Sequence, residues 1–114
     1  MNLKKLPEVS IDPRENYLFI VAEVCDNKGG KKLVLRAKSF RSCEYHSELR
    51  EALCEETRGL RVAVVGGGLL FGSPQAGSMT ISSDSNEFGK EPNRELTAQM
   101  LRSAFPEAKV TIKN

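Results

Sequence analysis

His46 is the single histidine of the chain. It is the one side chain whose ordinary titration falls near neutrality. It stands in Glu44-Tyr45-His46, at the start of a segment with helical spacing. A helix start leaves backbone N–H groups unpartnered and carries partial positive charge. A histidine there is placed to work on an anion, though an ordinary surface histidine fits the same position. Gly66-Gly67-Gly68 follows a strand-like run. Glycines let a backbone turn sharply and aim N–H groups at phosphate oxygens, or simply form a loop leaving a strand. Leu69-Leu70-Phe71 comes next, so the run is neither a Rossmann fingerprint nor a P-loop. The stretch Ser82 to Gly89 (SSDSNEFG) offers hydroxyl and amide donors, or makes an ordinary turn. Arg36, Lys38 and Arg41 supply positive charge to a pocket, or belong to a solvated face.

Other chemistries find no support. Cys25, Cys43 and Cys54 contain no CxxC pair, and their spacings of 18 and 11 do not suit zinc. Three reduced thiols are expected, with Cys54 buried by a helix. There is no GxSxG, no paired-carboxylate signature and no cysteine-based phosphatase loop. No metal and no cofactor are expected.

The elements that must position these residues follow from patterning. Val9 and Ile11 alternate with polar neighbours, enough for a short edge strand. Tyr17 to Val24 is a strand buried on both faces at its centre, and Lys32 to Ala37 pairs with it as a hairpin. Tyr45, Leu49 and Ala52 predict an amphipathic helix within Cys43 to Thr57, capped by Ser42 and stopped near Gly59. Leu60 to Val65 is a strand that ends at the glycines, and Ser78 to Ser83 is another. Asn93 caps a second helix, Arg94 to Ala104, and Lys109 to Lys113 is a last strand. The order β-β-α-β-β-α-β, with a possible extra strand in front, predicts an α+β fold. It would be a single mixed, mostly antiparallel sheet of five to six strands with two helices packed on it.

The 114 residues make one domain, 1–114, large enough to bury about two-thirds of its unfolded surface. The net charge of +2 argues against nonspecific nucleic-acid binding. No apolar run approaches the roughly 20 residues of a spanning helix, and no secretory h-region follows Met1. A cytoplasmic protein is expected, without nucleic-acid or membrane partners.

The ordered motifs resemble the small phosphohistidine phosphatase family, also called the janus family, nearly end to end. Pro7-Glu8-Val9-Ser10-Ile11-Asp12 is similar to its Pro-x-Val-x-Ile-Asp opening. Glu44-Tyr45-His46 is similar to its Glu-Tyr-His signature, and Val65-Gly66-Gly67-Gly68 to its glycine turn. Ser85-Asn86-Glu87-Phe88-Gly89 stands where that family has Ser-x-x-Tyr-Gly, and Phe105-Pro106 to Val110-Thr111 resembles its close. The resemblance implies metal-independent hydrolysis of the N–P bond of phosphohistidine in proteins. A monomer is expected. His46 would be the catalytic residue. Two roles are open to it, general base on a water or nucleophile, and general base is favoured because the pocket offers no second residue to serve the hydrolysis of a covalent intermediate. Asn16, Arg36, Gly66, Gly67, Gly68, Ser85, Asn86 and Glu87 would bind substrate. Asn16 and Leu69 stand where the family has basic residues, and Lys38 rivals Arg36. Losing such contacts weakens phosphate binding by roughly 1.5–3 kcal/mol each. The alternative is a non-catalytic phosphoprotein-binding or regulatory module of the same fold.

Overall fold

Tyr17 to Ala22 is apolar at every position because the strand it forms is central and covered on both sides. The computed structural model describes residues 2–113. Strands β1 (Val9–Ile11), β2 (Tyr17–Cys25) and β3 (Lys31–Ser39) precede helix α1 (His46–Glu56). Then come β4 (Arg61–Ser73), β5 (Ser78–Ser82), helix α2 (Arg94–Ala104) and β6 (Lys109–Ile112). The six strands make one sheet in the order β1-β3-β2-β4-β5-β6. Pairing is antiparallel at the centre, while β1 joins β3 and β6 joins β5 in parallel. This is the expected α+β architecture, and the front strand is part of it.

Side-chain alternation along β2 divides the core in two. Tyr17, Phe19 and Val21 pack with Leu70, Met79, Ile81 and the α2 residues Ala98, Met100 and Leu101. Leu18, Ile20, Ala22 and Val24 pack with Val34, Leu6 and the α1 residues Leu49 and Leu53. Each helix therefore covers one face. Burying a side chain such as Leu53 or Leu101 stabilises the fold by about 1.5–3 kcal/mol.

Three expectations need correction. The glycine run is not a loop: Gly66, Gly67 and Gly68 lie inside β4, paired with Val21, Ile20 and Phe19 of β2. The strand continues to Ser73 because the glycines let it pass tightly packed neighbours. α1 begins at His46, capped at Tyr45 rather than Ser42, and ends at Thr57 before Gly59. The chain enters extended because Glu48 Oε2 accepts the N–H groups of Glu44 (2.9 Å) and Tyr45 (3.5 Å). Cys54 is half-buried on α1, and Cys43, just before the helix, is the buried thiol.

Candidate functional site

His46 is fixed by β4. Its ring stands above Gly67, close enough that a methyl group there would touch Cδ2, and it is only 8% exposed. Nε2 lies 2.9 Å from the carbonyl oxygen of Gly68. A carbonyl only accepts, so Nε2 carries the hydrogen and the neutral ring keeps its lone pair on Nδ1. Leu18, Glu44, Tyr45, Leu69, Asp84, Asn86 and Glu87 line the cleft of about 580 Å³ beside it. Three of these residues are acidic, and none is lysine or arginine.

The helix end beside His46 already has its anions. Glu87 Oε1 accepts the Ser47 N–H at 3.2 Å, and Glu48 takes those of Glu44 and Tyr45. The Glu44 N–H, followed by the Cys43 thiol, holds the Glu48 carboxyl below its usual range. A carboxylate at a helix N-terminus is favourable by about 0.3–1 kcal/mol. A phosphate dianion would meet both that occupancy and Coulomb repulsion.

Backbone N–H groups of the loop after β5 are spent within the loop. The Ser85 hydroxyl, 3% exposed, accepts the N–H groups of Glu87 (3.2 Å) and Phe88 (3.1 Å). Ser85 and Gly89 exchange backbone hydrogen bonds, and the Gly67 N–H donates to the Gly89 carbonyl at 2.9 Å. The expected site residues His46, Gly67, Ser85, Asn86 and Glu87 are thus brought together. The Ser47 and Gly67 N–H groups are taken by the Glu87 carboxylate and the Gly89 carbonyl rather than presented to a ligand.

Two expected residues lie elsewhere. Arg36 forks onto Glu56 (Nε to Oε1 2.9 Å, Nη2 to Oε2 3.0 Å) and donates to the carbonyls of Leu35 and Pro7. It ties the N-terminal segment and α1 to β3, in a separate cleft with Ser10, Asp12 and Lys38. Asn16 lies at the start of β2, where its Oδ1 accepts the Gly72 N–H at 2.9 Å. Both side chains are engaged by partners away from His46, and neither lines its cleft.

The glycine run serves packing. A Cβ on Gly66 would overlap the backbone of Glu91, on Gly67 the Phe19 carbonyl, and on Gly68 the Ser82 carbonyl. Arg94, unremarked by patterning, holds this arrangement. It donates to Glu91 Oε1 (Nη2, 2.7 Å), to the Gly67 carbonyl (3.0 Å) and to the Ser83 carbonyl. Its guanidinium lies 5.6 Å from the Phe19 ring centroid. Thr97 completes the network by donating to Glu91 Oε2 at 2.7 Å. Glu91 lies ahead of the Asn93 cap, outside α2, so no helical spacing rule points to the pair.

Among the described residues, no group of three or more His, Cys, Asp or Glu side chains is arranged to hold a metal. No helix among them is long and apolar enough to cross a membrane.

The chain is similar to sex-regulated protein janus-A of Drosophila melanogaster, 26% identical over 114 residues, covering 98% of this chain and 82% of the relative. The janus-A of Drosophila yakuba is 27% identical over 107 residues, covering 92% and 77%. These relatives are named as sex-regulated proteins, and their names carry no hydrolase or phosphatase activity. That overturns the expected assignments as a phosphohistidine phosphatase, as an enzyme, and as a member of a phosphatase family. The model of the Janus/Ocnus family matches residues 3–109, and the chain belongs to that family.

Proposed function

We propose that this domain is a non-catalytic phosphoprotein-binding or regulatory module. One observation carries the non-catalytic part of the reading: the Glu87 carboxylate holds the Ser47 N–H at 3.2 Å, at the helix end where a phosphoryl group beside His46 would sit. The cleft around it has three carboxylates and no basic residue in its lining. Transition-state stabilisation of a transferring phosphoryl group draws on preorganised cations, and the lining of this cleft has no lysine or arginine. The names of the janus-A relatives state no reaction.

The module acts as a single copy on phosphorylated protein partners. Its three free thiols suit a reducing compartment, and we place it in the cytoplasm. The test is a metal-free phosphoramidate turnover assay on wild type and His46→Ala side by side. Equal background rates are expected. Wild-type turnover above the His46→Ala control would overturn the reading.

A further inference from the structure

The end of the sheet where β2 begins and β3 and β4 finish opens onto a polar cleft of about 780 Å³. Arg14, Asn16, Ser39, Arg41 and Ser73 line it, and Glu15 is the acidic residue of the lining. This cleft takes no part in the His46 site.

Its donors are unspent. Arg14 and Arg41 are exposed and enter none of the ion pairs among the described residues. Ser39 and Ser73 are 1% and 5% exposed. The Ser39 hydroxyl accepts the Arg41 N–H at 3.2 Å, and the Ser73 hydroxyl accepts the Ala76 N–H at 3.0 Å. A hydroxyl used only as acceptor still has its O–H to donate. Neither serine O–H has a protein acceptor among the described residues. Asn16 repeats the pattern, because its Oδ1 is committed to Gly72 while its NH₂ group has no protein acceptor there. Asn16 is held at φ 62°, a left-handed conformation asparagine tolerates. Asp12, which also attracts Arg14, has its oxygens engaged by the N–H groups of Arg14 (3.2 Å) and Ser39 (3.4 Å) and by Ser42 Oγ (3.2 Å).

We propose that this cleft is an oxyanion site of the phosphate class, and that it holds the phosphoryl group of a protein partner. The proposal deepens the phosphoprotein-binding reading and rests on it for the source of the anion. Two guanidinium groups, two buried hydroxyls and an amide match the several acceptor oxygens of a phosphate, which arginine recognises through paired hydrogen bonds. A buried donor left without a partner is costly, so an acceptor entering here gains from each one. Beside the cleft, Phe40 and Phe71 pack edge to face with ring centroids 6.0 Å apart. Both are more than 40% exposed and offer an apolar contact to the residues flanking a phosphorylated side chain.

The full chain is titrated with inorganic phosphate, and with a phosphoserine peptide and its unphosphorylated form, at constant ionic strength, while backbone amide shifts are followed. Phosphate is expected to move the amides of Asn16, Ser39 to Arg41, Ser73, Gln75 and Ala76 saturably. The exposed double variant Arg14→Gln/Arg41→Gln should melt like wild type and bind phosphate about tenfold or more weakly, as loss of charge-assisted contacts requires. Ser73→Ala should weaken it further while leaving the arginines in place. Absence of saturable shifts, shifts centred on Ser47 and Glu87, or undiminished binding by the double variant overturns the site. Phosphate binding here without preference for the phosphorylated peptide leaves the oxyanion site standing and overturns the phosphoprotein reading.

Discussion

Glu87 and Ser47 are 40 positions apart in the chain, yet the carboxylate of one accepts the backbone N–H of the other at 3.2 Å. The contact joins the loop after β5 to the first turn of α1, directly beside His46. An acidic side chain thereby takes a position that elsewhere suits a ligand anion. The protein satisfies its own helix end and holds the two elements together.

Replacing Glu87 tests that linkage. Glu87→Gln keeps an acceptor but removes the charge, and Glu87→Ala removes both. Expected losses are about 0.3–1 kcal/mol for Gln and somewhat more for Ala, kept small by solvent exposure. Urea unfolding at low and high salt measures them. The Gln cost should shrink at high salt, where the dipole interaction is screened. A salt-independent cost would assign the effect to packing instead.

The buried Arg94–Glu91–Thr97 network should be far more sensitive. Side-chain exposures of 6% for Arg94 and 2% for Glu91 leave no water to replace a lost partner. Arg94→Met strands the Glu91 charge and should cost about 3–5 kcal/mol. The double variant Arg94→Met/Glu91→Leu should recover part of that loss, because no unpaired charge remains. Chemical denaturation of the two variants decides it. Equal destabilisation in both would show that the arginine matters through its Gly67 and Ser83 contacts rather than through the ion pair.

What could be seen in advance, and what could not, follows from where each cause lies in the chain. α2 was legible to the residue because its start is local: the Asn93 side chain accepts the Leu96 N–H three positions on. β2 was legible because a central strand writes its double-sided burial into a continuous apolar run. The glycine run looked like a ligand loop because the reason for it is distant in sequence. It makes room for Glu91, the Phe19 carbonyl and the Ser82 carbonyl. Arg36 looked like a pocket cation for the same reason, since its partner Glu56 lies 20 positions away on α1. The His46 neighbourhood was legible as a cluster. The capture of the Ser47 N–H by Glu87 needed a three-dimensional contact that no spacing rule encodes.

Gly67→Ala separates the packing role from a ligand role. A methyl group there meets the Phe19 carbonyl and the His46 ring, and the central strand cannot move away cheaply. Overpacking of this kind costs about 1–3 kcal/mol or more. The thermal midpoint should therefore fall in the absence of any ligand. An unchanged midpoint would mean that β4 has slack at Gly67 and that the glycine is not required for close approach.

Cys43 supplies the pH dependence. Burial, and then the neighbouring Glu48 carboxylate, push its thiol from the ordinary 9.0 up to about 11. Its Sγ donates to the Tyr45 carbonyl at 3.2 Å, an interaction that needs the proton. A raised pKa means that the folded chain keeps a proton the unfolded chain has begun to lose. The stabilisation is therefore full below about pH 9 and is lost as pH rises toward about 11. Cys43→Ala should flatten the fall in stability across that window, measured by urea unfolding at several alkaline pH values. Thiolate is also the reactive form, so native Cys43 at pH 8 should alkylate on the order of a hundredfold more slowly than in urea. Half-buried Cys25 and Cys54 should label first under native conditions. Peptide mapping after iodoacetamide treatment reads all three thiols at once, and Cys43 labelling as fast as Cys25 would overturn the assignment of a protonated, buried thiol at the entry to α1.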